Sequence, residues 1–179
     1  MPSEAQDATV IFVSRFCFVA AHVCRMFNRV KPVLLITAVA NLLIGMLAGL
    51  GRLGYVVPVP EAFAHHGSIM VGGFLGTLIA LEKIIPLKRP VLFFGPFLSA
   101  ASVIAFIQGE FYAAIGMQVA AGLVFLSAYI FYLRMQSNLP LWLATAGALF
   151  WVVGTGWLFA SQFYPMVFPW YMAFLLFTI

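Results

Sequence analysis

Apolar and polar positions alternate along this chain on the scale of whole helices. Runs of about twenty apolar residues, the length that crosses a hydrocarbon core, are separated by short polar or proline-bearing breaks. The pattern predicts spans over residues 33–57, 65–85, 91–107, 111–133 and 141–159, and a sixth that opens at 166 and stops with the chain at 179. The breaks are Pro58 and Pro60 with a loop over 61–64, a basic turn from Pro86 to Pro90, Gln108-Gly109-Glu110, Arg134 to Asn138, and Ser161 to Pro165. A sixth span of about fourteen residues is short for a crossing, so the sequence reads as an N-terminal fragment of a longer protein. Residues 1–25 fit neither type of segment. They are mildly apolar over 8–24 but carry Arg15 and His22, and the acidic flank of Glu4 and Asp7 argues against a secretory signal. They read as a surface amphipathic helix or as a consequence of start-site choice, with Met26 opening an ordinary lead-in to span one.

Finer periodicity organises the spans around residues 61–89. Ser68, Gly72, Gly76 and Ala80 recur every fourth residue and make a continuous small face. Such a face lets another helix, or a flat cofactor, approach the backbone closely. His65 tops this face, and His66, Met70, Gly73 and Thr77 form the neighbouring stripe. In span one Asn41, Gly45, Gly49 and Arg52 share a face, expected to pack on the glycine face of span two. In span four Gln118 and Gly122 lie one turn apart. Uncharged amides such as Asn41 and Gln118 at hydrocarbon depth serve most often as interhelical hydrogen bonds.

Composition turns this pattern into a class. The 179 residues are 64% hydrophobic and 8% charged, whereas soluble domains carry roughly 25% charged residues. The reading is an all-α, multi-pass transmembrane helix bundle in a bacterial inner (plasma) membrane. Its partners are the bilayer and other transmembrane helices, from the same chain or a partner subunit. The net charge of +4 does not point to nucleic acid, because the basic residues sit in short clusters between apolar runs. Arg25, Arg29 and Lys31, then Lys83, Lys88 and Arg89, then Arg134 must share one side, against Arg52 on the other. The positive-inside rule places that side, and the N-terminus, in the cytoplasm. Glu61, His65, His66 and Glu110 then lie outside. Cys17 and Cys24 are too few for a disulfide framework. Walker, dinucleotide, paired-Cys and nucleophile-elbow motifs are absent.

Candidate chemistry centres on the paired histidines. A neutral imidazole ligates haem iron, copper or zinc, and the glycine face beneath would make room for a porphyrin plane. Arg52 is a candidate partner for a haem propionate, since a guanidinium matches a carboxylate bidentately. Met70, one turn after His66, is a candidate soft copper ligand. The plainer readings are interfacial anchors for the histidines, close helix packing for the glycines and a core position for Met70.

His66-Gly-Ser-Ile-Met-Val-Gly-Gly-Phe74 resembles the second helix of the catalytic subunit of haem-copper oxidases, where a histidine is followed by a small residue, two variable positions and methionine. The sequence also looks like the NnrS-type membrane proteins, and like bacterial membrane proteins of no assigned activity with a His-Gly-x-x-Met-Val-x-Gly-Phe-Leu-Gly-Thr-Leu-Ile-x-Leu-Glu helix, which residues 66–82 follow closely. The resemblance implies that His66 is an axial haem ligand on the outer side, with His65 as alternate ligand or supporting partner. The chain departs from the oxidase pattern in lacking the Met-Pro pair, the Gly-Gly-Phe-Gly-Asn run and any histidine after His66. The expected function is a haem- or metal-binding membrane protein of respiratory or nitric-oxide-response type. Two alternatives stand beside it: a transporter or channel module lined by Asn41 and Gln118, and a scaffold subunit without chemistry.

Overall fold

A computed structural model describes residues 30–161 and 168–177. Its elements are helices, and no strand occurs among the described residues. In chain order they are α1 Val30–Arg52, α2 Pro60–Leu87, α3 Pro90–Ile107, α4 Phe111–Met135, α5 Leu139–Ser161 and α6 Phe168–Phe177. The first five are long and apolar enough to cross a membrane, as a multi-pass membrane protein requires; α6 is shorter. Residues 1–25, Met26 and the break before α6 lie outside the described residues. Leu34–Ile179 group as one unit, and residues 30–33 form the first turn of α1.

The helix ends follow from backbone chemistry. Span one is shorter at its end than the apolar run predicts, because α1 stops at Arg52. Gly54 takes φ +92°, Tyr55 N–H bonds Leu50 O at 3.3 Å and Gly54 N–H bonds Gly51 O at 3.0 Å. This is a Schellman cap, which favours glycine because a Cβ is strained at positive φ. Gly109 at φ +78° closes α3 in the same way, with Glu110 N–H on Ala105 O at 2.9 Å. Span two is longer than predicted. The expected loop over 61–64 is a 3-10 turn, Pro60–His65, that runs into α2, since proline's fixed φ suits a first helical turn. Asn138 opens α5 by accepting Leu141 N–H on Oδ1 at 3.0 Å, an N-cap.

α2 is not a uniform helix. After one α turn at His66–Ser68 it widens into a π segment, Ile69–Leu75, and returns to α geometry over Gly76–Ile84. Around it α3, α4 and α5 pack in sequence order, with α6 against α5. The core joins Ile69 of α2 to Val103 and Phe106 of α3, Ala114 and Ile115 of α4, Leu158 of α5 and Trp170 of α6. The outer faces of the helices carry apolar side chains, among them Ile36, Leu43, Phe94, Ile104, Leu123 and Tyr171. A soluble protein rarely exposes so much apolar surface; a bilayer solvates it. At the basic end Tyr132 O–H donates to Lys83 O at 2.8 Å, and the Arg89 guanidinium lies 4.1 Å above the Phe131 ring. These contacts tie the end of α2 and its following turn to α4.

Candidate functional site

The two histidines separate in space. Successive residues of a helix point about 100° apart, so His65 and His66 meet different neighbours. His65 stacks at 5.0 Å on Phe106 and lies 5.2 Å from Phe111, on the α3–α4 side. His66 turns to α1, where its Nδ1 lies 2.7 Å from Gly45 O. A carbonyl only accepts, so Nδ1 carries a proton, and in the neutral ring Nε2 is the nitrogen with the lone pair. Gly49 makes the approach possible: a Cβ there would stand 3.0 Å from His66 Cε1. Met70 is seated on the same helix, with Sδ 2.5 Å from where a Gly45 Cβ would be. His65 and His66 therefore meet different helices. Arg52 ends α1, three residues beyond Gly49, and is exposed. No group of three or more His, Cys, Asp or Glu capable of holding a metal occurs among the described residues.

The small face of α2 is filled by helices rather than left as a slot. Gly72 lies directly under the Gln118 side-chain amide, and a Cβ on Gly76 would meet Ser99 Oγ at 2.7 Å and Trp151 Cζ2 at 3.2 Å. The stripe of α1 does not pack on this face, as the spacing suggested; Gly45 and Gly49 instead receive Met70 and His66. The two stripes keep separate faces: the four-residue stripe meets α3, α4 and α5, and the His66–Met70 stripe meets α1.

A π turn loosens the i→i−4 ladder, and buried side chains from α2 itself and from other helices serve its carbonyls. Asn41 Nδ2 donates to Gly73 O at 3.3 Å and Ala100 O at 3.2 Å. Thr77 Oγ1 donates to Gly73 O at 2.6 Å, and Ser99 Oγ donates to Gly72 O. Gln118 Nε2 donates to Ser68 O at 3.0 Å and Ser102 Oγ at 3.1 Å. Asn41 and Gln118 thus act as interhelical hydrogen-bond donors at 3% and 2% exposure. Ser99, Ser102 and Trp151 belong to this junction, and the two serines escaped the sequence reading. Their small or apolar spacing on α3 and α5 is ordinary, and only the fold brings them to α2.

A family model described as Domain of unknown function (DUF8744) covers residues 29–179. No curated protein and no solved structure matches the chain.

Proposed function

The chain belongs to the DUF8744 family, and from the start of α2 we propose that it ligates haem or a transition metal inside a membrane, through Nε2 of His66. One observation carries the reading: the Nδ1–H of His66 is held by Gly45 O at 2.7 Å. Metal-bound histidines use this arrangement, in which the second nitrogen donates to a backbone carbonyl and so fixes the tautomer and the ring. The likeness of residues 66–74 to a haem-ligating helix points to the same residue.

The fit is good for the imidazole and poor for a porphyrin laid on the glycine face, which Gln118, Ser99 and Trp151 cover. A haem would therefore have to be held away from that face, through His66, with Arg52 on α1 as the candidate cation for a propionate. For copper, Met70 is the soft donor one turn away. Bound haem or copper would supply one-electron chemistry. The chain's own part is to fix the ring through Nδ1 and cover one side of it with α1. The N-terminus lies in the cytoplasm of a bacterial inner membrane, with His66 on the outer side.

A second reading, a scaffold subunit without metal, is favoured by the amides. Asn41 and Gln118 spend their donors on backbone carbonyls and a serine, as packing residues do. The same commitment leaves a transport path lined by these two amides without support. Haem, iron and copper content of the purified full-length protein, expressed with ample haem and metal, separates the readings. The proposal expects bound cofactor in the parent and in His65→Ala, and its loss in His66→Ala. A folded parent without cofactor, or equal content in all three, supports the scaffold and overturns the metal reading.

A further inference from the structure

We infer that the junction of α2, α3, α4 and α5 is a binding site for one internal water molecule. One buried polar atom there has no protein partner, and a second polar group belongs to a residue that lines the same cavity. Gln118, 2% exposed, uses both amide N–H groups, on Ser68 O and Ser102 Oγ, and its Oε1 accepts nothing. The orientation of the amide is fixed by the network. Exchanging its oxygen and nitrogen would set an acceptor against Ser68 O. It would do the same against Ser102 Oγ, whose own proton goes to Ser99 O at 2.7 Å. The second group is the indole N–H of Trp151, 5% exposed and without a hydrogen bond among the described residues.

Both residues line one small cavity, together with Ser99 and the glycines 72, 76 and 122. The glycines supply the space, and it holds about one water and nothing larger. Ser99 Oγ gives its proton to Gly72 O and keeps a lone pair for the cavity. The site thus offers two acceptors, Gln118 Oε1 and Ser99 Oγ, and one donor, Trp151 Nε1–H. A water molecule has two O–H donors and accepts readily, so it satisfies all three; buried waters make about three hydrogen bonds. A metal cation fits badly, because it would find two oxygens and face an N–H. The site sits beside the π segment of α2. The water therefore links that segment's neighbours on α3, α4 and α5, which make no direct bond through these atoms.

Water-to-protein magnetisation transfer in solid-state NMR, on full-length ¹⁵N-tryptophan protein in lipid nanodiscs, tests the site. Trp151→Phe assigns the signal. Trp170 is the dry control, since it is equally buried but donates to Thr155 Oγ1 at 3.2 Å. Transfer from water to the Trp151 indole, absent at Trp170, is expected. It should be lost in Gly76→Ala, whose new Cβ stands between Ser99 and Trp151. If that variant misfolds, Gln118→Met replaces it and should reduce the transfer several-fold. No transfer to Trp151 in a folded parent, or transfer unchanged in the folded variant, overturns the inference.

Discussion

Gly72 and Gly116 are both helical glycines, and alanine should affect them in opposite directions. At Gly72 a Cβ would run into the Gln118 amide, whose position the buried bonds to Ser68 and Ser102 fix. Overpacking of this kind costs about 1–3 kcal/mol. At Gly116 nothing lies within 4 Å, so alanine gains helix propensity, about 0.5–1 kcal/mol. Thermal unfolding in detergent should show Gly72→Ala melting lower and Gly116→Ala melting at or above the parent. At His66 the prediction is a tautomer. ¹⁵N NMR of the neutral ring should show Nδ1 protonated and Nε2 bare, as the bond to Gly45 O demands. An Nε2-protonated ring would contradict the geometry. The neighbouring His65 shows why a sequence pair need not be a spatial pair: one residue of helical rotation sends it to Phe106 instead.

The elements were partly legible from the apolar pattern. The runs and their polar breaks give six helices in the right order, because helix existence depends on local hydropathy. The errors fall at ends, where turn chemistry outweighs hydropathy: Gly54 stops α1 early and Pro60 starts α2 early. The π segment of α2 was not legible. One extra residue per turn leaves composition unchanged and alters only which face each later residue takes. The carbonyls it loosens are met by donors from neighbouring helices, and Asn41 is one of them. Asn41→Leu removes two interhelical hydrogen bonds, each worth about 0.6 kcal/mol in membranes with an upper end near 1.7. A destabilisation of about 1–2 kcal/mol is expected, measured by unfolding in detergent, with the fold retained.

Apolar outer faces and a buried polar junction describe a protein built for a bilayer. The basic clusters give the orientation proposed above. A membrane-impermeant thiol reagent applied to intact cells should label Val56→Cys, in the exposed turn after α1, and should reach Ser137→Cys, in the exposed turn before α5, only after permeabilisation. The reverse result would invert the topology and put His66 inside. Of the candidate site, the sequence disclosed the residue type and the stripe shared by His66 and Met70. The hydrogen bond to Gly45 depends on how α1 meets α2, which no local pattern encodes. The central claim, ligation by His66 Nε2, is tested most directly by a dithionite-reduced minus oxidised optical spectrum of the purified full-length protein, beside His66→Ala and His65→Ala. The account predicts metal-centre bands in the parent that persist in His65→Ala and vanish or shift in His66→Ala. A featureless spectrum from the folded parent, or bands indifferent to His66, would contradict it.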